Sequence, residues 1–185
     1  MEALINKVDN TWTLFLDRDG VINTRLVDDY IKKWNEFEFL SGVLDSIKIF
    51  SSLFGRIFIV TNQQGIGRGI MTEDDLNIIH TNMILKINDF GGRIDKIYHC
   101  PHLKESNSKM RKPEIGMGLK AKQDFKEIDF NKAIMVGDSI PDMIFGRRLG
   151  MKTIYISDDF MAHKNQTELM DYVYPSLFDF AKNFK

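Results

Sequence analysis

At 185 residues, with 25 Lys plus Arg against 26 Asp plus Glu, the chain suits one domain, 1–185, large enough to bury a core of its own. It carries no broad field that would favour nucleic acid or an anionic membrane. No apolar run approaches the ~20 residues of a membrane helix, the N-terminus lacks the basic-then-apolar pattern of a secretory signal, and the one cysteine, Cys100, has no partner for an intrachain disulfide. A soluble, cytoplasmic protein acting on a compact ligand is expected, its oligomeric state left open.

Trp12 to Leu16 is a short apolar run that stops at Asp17-Arg18-Asp19-Gly20, which reads as a buried strand delivering acids to its carboxyl end. Open α/β sheets place their chemistry there. Positions i and i+2 of an extended chain share a face, so Asp17 and Asp19 approach one site together, and like charges that close call for a cation or a shared proton. Two plainer readings compete. The acids and glycine serve as turn formers, or they open a calcium loop. The second fails, because Val21 and Ile22 occupy positions that need a ligand and a glycine, and no helix precedes.

From Thr24 to Leu40 charged residues mix with Tyr30, Trp34, Phe37 and Phe39 without a clean period. A flap over the strand ends, about 21–40, is expected, since connections this long are usually functional or disordered and the aromatics argue against disorder. Ser41 reads as the N-cap of a helix that runs to about Leu53. Arg56 to Val60 reads as a strand covered on both faces, ending in Thr61-Asn62-Gln63-Gln64-Gly65-Ile66-Gly67-Arg68-Gly69. Glycines on alternate positions suit a loop whose backbone N–H groups approach a phosphate, or ordinary turn chemistry.

Thr72, with Asp75 three residues on, caps the next helix; its buried stripe is Leu76, Ile79, Met83, Ile84 and Ile87, and Gly91-Gly92 ends it. A third strand spans Ile94 to His99. After a polar loop, Arg111-Lys112-Pro113 places proline at a helix start, with the helix from about Glu114 to Phe125. Ala133 to Gly137 is a fourth strand and again stops at acids, Asp138 and Asp142. A helix to Gly150, a strand over Lys152 to Ile156, a short strand at Tyr172 to Tyr174 and a terminal helix complete the chain. Alternating strands and helices predict an α/β fold, a parallel sheet with helices on both faces.

Independently predicted strands thus end in Asp17 and Asp19, in Thr61 and in Asp138, with Lys112 at a helix start in the same layer. Singly, Thr61 and Asp138 read as caps and Lys112 as a solvated cation. Jointly they fit a hard divalent cation held by carboxylates and a substrate phosphate, with a hydroxyl, backbone N–H groups and an ammonium around the transferring group.

The order Asp17-x-Asp19, Thr61, Lys112, Gly137-Asp138-Ser139-x-x-Asp142 resembles the four motifs of the haloacid dehalogenase-like phosphatases. The strings Phe15 to Asn23, Val60 to Gly69, Tyr98 to His102 and Arg111 to Glu114 resemble one branch, the D-glycero-D-manno-heptose 1,7-bisphosphate phosphatases and the related histidinol-phosphate phosphatases. The resemblance covers about residues 12 to 156. It implies a Rossmann-like sheet without a large cap domain and a Mg²⁺-dependent phosphatase for a small phosphate ester. Heptose bisphosphate is the leading substrate and histidinol phosphate the alternative. By the same resemblance Asp17 is the nucleophile, Asp19 the acid and base, and Thr61, the Asn62 backbone N–H and Lys112 hold the phosphoryl group. Mg²⁺ is held by Asp17, the Asp19 carbonyl and Asp138, and Asp142 orients Lys112 or the metal ligands. Gln63 and Arg111 are candidates for contacting the rest of the substrate.

A departure concerns zinc. The branch commonly holds a structural zinc by Cys-x-His and, just before Arg-Lys-Pro, Cys-x-Cys. Cys100 and His102 fit the first half, but Ser108 and Met110 occupy the second. Two ligands do not complete a tetrahedral site, so no zinc is expected. A phosphoacceptor domain of the signalling-receiver kind also uses Asp, Thr, Lys and Mg²⁺. Asp19 argues against it, because an acid beside the nucleophile assists hydrolysis, whereas a receiver keeps its phosphate.

Overall fold

A computed structural model describes residues 2–27, 29–159 and 164–184. The elements in chain order are α1 (Glu2–Ile5), β1 (Thr13–Leu16), α2 (Val43–Leu53), β2 (Arg56–Asn62), α3 (Gln64–Gly67), α4 (Glu73–Asp89), β3 (Lys96–Cys100), α5 (Gly116–Asp124), β4 (Ala133–Gly137), α6 (Ile140–Leu149), β5 (Lys152–Ile156), β6 (Tyr172–Tyr174) and α7 (Leu177–Ala181). The strands form a six-stranded sheet in the order β3-β2-β1-β4-β5-β6, parallel at every pairing.

Each residue of β1 and β4 is buried, and alternate side chains feed opposite layers. Leu14, Leu16, Ile57, Ile59, Ile134 and Val136 pack with Val43, Ile47 and Phe50 of α2 and Phe180 of α7. Phe15, Phe58 and Met135 point the other way, onto Met117 and Ala121 of α5 and Phe145 of α6. The α2 layer is built on Phe50, fully buried with ring centroids of Phe54, Phe180 and Phe184 at 5.8, 5.5 and 6.1 Å. Cutting such a ring back to alanine costs about 3–5 kcal/mol. Two oily layers thus clamp the central strands, which fixes where their carboxyl ends emerge. The chain winds outward from β1 to β3, then returns to set β4 on the other side of β1. That reversal opens a crevice at the ends of β1 and β4, where such sheets bind ligands. Among the described residues no second domain stands over it.

Several boundaries differ from the sequence reading. The N-cap of α2 is Gly42, not Ser41, with φ +72°; a side chain there would strike Phe178, its Cγ 2.7 Å from the added Cβ, so close packing of α7 selects glycine. The glycine-rich stretch is a helical turn. From Ile66 onward its N–H groups are already engaged, Gly67 N donating to Pro101 O at 3.1 Å, Arg68 N to Gln64 O at 3.0 Å and Ile70 N to Gly65 O at 2.9 Å, which leaves these unable to cradle a phosphate. Pro113 does not start a helix. Residues 111–114 form a turn around a cis Lys112–Pro113 bond, closed by Glu114 N donating to Arg111 O at 2.8 Å, and α5 begins at Gly116. The flap is tied at its base, where Asn23 bridges Phe39, and Phe37 stacks on Trp34 at 5.1 Å and meets Phe39 edge to face at 5.0 Å.

Candidate active site

Asp17 follows β1 directly, its N–H bonded to Val136 O of β4 at 2.9 Å. Its Oδ1 accepts from Arg18 N at 2.7 Å and lies 2.9 Å from Lys112 Nζ. No donor among the described residues takes Oδ2. Lys112 is 3 % exposed, and its ammonium reaches three acceptors: Asp17, Asp142 Oδ1 at 2.5 Å and Val60 O at 2.6 Å. Asn62 fixes that lysine from the end of β2 by a paired backbone clamp. Its Oδ1 accepts from Lys112 N at 3.0 Å and its Nδ2 donates to Lys112 O at 3.1 Å.

Beyond β4, Ser139 and Asp142 form a capping box at the start of α6. The cap is therefore Ser139, and Asp138 is free to point into the crevice. Asp17, Asp138 and Asp142 offer oxygens within 4.8 Å of one another. Asp138 Oδ1 is buried without a hydrogen-bond partner, while its Oδ2 pairs with Arg25 of the flap at 3.1 Å. Gly20, at φ +90°, gives this carboxylate room, because a Cβ there would collide with it. Acids so crowded hold protons. Burial, then the charge of Asp142, raises Asp17 to about 8 despite Lys112; burial and Asp142 raise Asp138 to about 6 against the pull of Arg25. An acid cluster with an orphaned buried oxygen and a surplus of negative charge fits a divalent cation.

Asp19 behaves oppositely. Burial pushes its pKa up, but the charge of Arg18 and hydrogen bonds from Arg18, Asn23 and Gln63 outweigh it and hold the carboxyl below the ordinary value. The donors are Arg18 Nη2 at 2.8 Å, Asn23 Nδ2 at 3.0 Å and Gln63 Nε2 at 2.8 Å. Gln63 Nε2 also donates to Thr61 Oγ1 at 2.8 Å. Gln63 lines the cleft while only 2 % exposed, so its amide positions Asp19 and Thr61. Arg18 is 1 % exposed and its Nη1 lies 3.2 Å from His80 Nε2 of α4.

These groups floor a cleft of 680 Å³ whose walls include Arg25, Tyr30, Arg68 and Arg111. Asp17, Asp19, Thr61, Asn62, Gln63, Arg111, Lys112 and Asp142 all line it, with Asp138 in the acid cluster beside Asp17. Sequence reasoning missed Arg18, Arg25, Tyr30, Arg68, His80 and the clamp made by the Asn62 side chain. His80 alone left a signal, falling on the buried stripe of α4 between Leu76 and Met83.

Comparison with known proteins decides the family. The model for polynucleotide kinase 3 phosphatase matches residues 13–183. A D-glycero-alpha-D-manno-heptose-1,7-bisphosphate 7-phosphatase of Campylobacter jejuni is 37 % identical over 169 residues, 88 % of this chain and 95 % of the relative. The chain belongs to the haloacid dehalogenase-like phosphatases of the heptose-bisphosphate type. A second relative in this family, a D-glycero-beta-D-manno-heptose-1,7-bisphosphate 7-phosphatase of Pasteurella multocida, is 31 % identical over 93 % of this chain and 96 % of its own. The crystal structure of D,D-heptose 1,7-bisphosphate phosphatase from B. bronchiseptica, complexed with magnesium and phosphate, superposes with a TM-score of 0.84 at 28 % identity, covering 93 % of this chain and 97 % of the other. The chain is accordingly a phosphoric monoester hydrolase by family.

The loop where this family branch was expected to hold zinc is organised differently. Ser108 Oγ sits 3.9 Å from Cys100 Sγ and 2.7 Å from His102 Nδ1, and it accepts from Met110 N at 3.3 Å. A hydroxyl and a thioether stand where further thiolates would be required.

Proposed function

We propose that this chain, as a single domain, removes the 7-phosphate of D-glycero-D-manno-heptose 1,7-bisphosphate through an aspartyl-phosphate on Asp17. The observation that carries the reading is the convergence on one cleft of Asp17, Thr61 and Asp138 from the ends of neighbouring strands with Lys112 from the loop between β3 and α5, in a family whose relatives bear that activity in their names.

Lys112 and Arg18 N hold Asp17 Oδ1, which leaves Oδ2 for phosphorus. As its bond to phosphorus forms, the bond from phosphorus to the sugar oxygen breaks, and Thr61, Lys112 and the Asn62 N–H receive the non-bridging oxygens. Asp19 begins ionised. The approach of an anionic phosphate raises its proton affinity, so it takes a proton from solvent water at the cleft and passes it to the leaving sugar oxygen. In the second half Asp19 accepts a proton from water, which attacks phosphorus and frees Asp17. Asp17, Asp138 and the Asp19 carbonyl, with Asp142 behind them, would hold Mg²⁺, whose positive charge would let an anionic phosphate meet an anionic nucleophile.

No zinc is assigned to the Cys100–His102 loop; metal analysis giving about one zinc per chain would overturn this. A cytoplasmic setting agrees with a lone unpaired cysteine, and no helix among the described residues is long and apolar enough to cross a membrane.

The test is phosphate release, with Mg²⁺ or with EDTA, from both anomers of heptose 1,7-bisphosphate, from histidinol phosphate and from a 3′-phosphorylated oligonucleotide. Mg²⁺-dependent turnover of a heptose bisphosphate above the rest is expected. Histidinol phosphate turned over with the heptose inert would reverse the assignment.

A further inference from the structure

Arg18 is a buried charge that no step of the reaction uses directly. Its guanidinium turns two edges to two partners. Nε and Nη2 donate to Asp19 Oδ1 at 3.3 and 2.8 Å, and Nη1 meets His80 Nε2 at 3.2 Å. A guanidinium has donors only, so Nε2 offers its lone pair and a neutral ring keeps its proton on Nδ1. Burial, then the charge of Arg18, lowers the pKa of His80, which agrees with the neutral ring that this bond requires.

The seat of His80 is rigid. It stands on α4, a helix of 17 residues whose start is closed by the Thr72–Asp75 capping box, and it shares the buried stripe of that helix with Leu76, Ile79 and Met83. His99 of β3 meets the ring edge to face, with centroids 6.1 Å apart, and is itself tied to Glu73 Oε2 in the first turn of α4 at 2.9 Å. The loop that carries Asp19 is thereby anchored, through Arg18, to a helix outside the sheet. Groups held by regular elements keep their geometry better than groups held by loops.

The two oxygens of Asp19 are left unequal. Oδ1 takes Arg18 Nε, Arg18 Nη2 and Asn23 Nδ2, which uses its lone pairs. Oδ2 accepts from Gln63 Nε2 at 2.8 Å and keeps a lone pair for a proton. We infer that His80 is a positioning residue for the phosphatase reaction, fixing through Arg18 which oxygen of Asp19 exchanges the proton. The inference rests on the acid and base role given to Asp19 above. Without an acceptor at position 80 a buried N–H of a charged group stands unpaired. The guanidinium then turns toward another acceptor and Oδ1 is no longer held. A misplaced acid costs rate rather than binding of the substrate.

The experiment measures single-turnover cleavage of heptose 1,7-bisphosphate and of p-nitrophenyl phosphate by wild type, His80→Ala, His80→Leu, His80→Gln and Asp19→Asn, with melting curves to show that each variant folds. A sugar oxygen needs a proton as it leaves, whereas nitrophenolate leaves as the anion, so a misplaced acid is felt by the first ester. His80→Ala should slow cleavage of the heptose ester by about 10- to 100-fold. KM for that ester and the rate on p-nitrophenyl phosphate should change by about threefold or less. His80→Leu fills the space without an acceptor and should behave as His80→Ala, which separates the lost acceptor from a lost volume. His80→Gln, whose amide oxygen accepts from Arg18, should recover most of the rate. Equal slowing of both esters, a wild-type rate on the heptose ester in His80→Ala or His80→Leu, or a His80→Gln no faster than these would overturn the role of His80. An Asp19→Asn enzyme that cleaves the heptose ester as fast as wild type refutes the parent reading instead, so the two failures are distinguishable.

Discussion

Removing the cation should make this fold weaken as pH rises, and the size of the effect follows from the acid cluster. Asp17, Asp138 and Asp142 lie within 4.8 Å of one another, and Asp17 and Asp138 keep their protons up to about 8 and about 6, against 3.8 for a free side chain. A carboxyl raised in the folded state binds a proton that the unfolded chain has already released. Stability is therefore lost between pH 3.8 and the folded value, at up to ~1.4 kcal/mol per pH unit for each group. From pH 6 to pH 8 the titration of Asp17 accounts for about 2 kcal/mol, or roughly 4–8 °C in Tm for a chain of this size. Mg²⁺ needs the ionised acids and so displaces protons; at about a hundred times its Kd it returns about 2.7 kcal/mol. Melting curves at both pH values, in EDTA and in Mg²⁺, test this for wild type and Asp138→Asn. The Mg²⁺ increment should be larger at the higher pH. Asp138→Asn, relieved of one charge, should melt above wild type in EDTA and respond little to Mg²⁺. An equal increment at both pH values, or an Asp138→Asn protein that is less stable and still gains from Mg²⁺, refutes the electrostatic argument.

The acids of this cluster were legible because strand ends announce themselves. Leu14-Phe15-Leu16 and Ile134-Met135-Val136 are apolar on both faces, so the polar residue that follows each must lie where the sheet stops. Asp17 and Asp138 were placed by that rule and Lys112 by its motif; Thr61, expected just past its strand, is the next-to-last residue of β2. The rule does not reach residues whose partners are remote in sequence. Arg25 meets Asp138 from 113 positions away and Arg18 meets His80 from 62, and an arginine in a loop looks like a solvated cation until the fold supplies its partner. The glycines of residues 65–69 left two readings open, phosphate binding and turn chemistry, and the helical turn bears out the second. Gly67 is demanded by the carbonyl of Pro101, against which a Cβ would clash, a packing contact that spacing along the chain resembles but does not distinguish from phosphate binding.

The remaining predictions concern the groups around Asp17. Asp17→Asn should abolish turnover, and Asp19→Asn should slow it by about 10²–10⁴-fold, the usual worth of a general acid and base; single-turnover phosphate release separates the two, and an Asp19→Asn enzyme at wild-type rate would remove Asp19 from the chemistry. Asn62→Ala opens the clamp on Lys112 and should cost about 1–3 kcal/mol of stability together with a fall in kcat; unchanged kinetics at lowered Tm would leave the clamp a structural role only. His80 bears on how Asp19 is held. Burial, then the charges of Arg18 and of His99, push its pKa from 6.5 to about 3, so it stays neutral and faces Arg18 Nη1 with a lone pair. A histidine lowered in the folded state contributes stability that is complete above pH 6.5 and is lost as pH falls toward about 3, because the unfolded chain takes up the proton first, at up to ~1.4 kcal/mol per pH unit. His80→Gln keeps an acceptor for Arg18 and cannot titrate, while Asp17 and Asp138 titrate in both proteins and cancel in the difference. Urea melts stepped downward from pH 6.5 should show wild type losing about 2 kcal/mol more than His80→Gln within two pH units. Parallel curves would mean that His80 accepts its proton in the fold, and that Arg18, facing a cation, is held against Asp19 by something else.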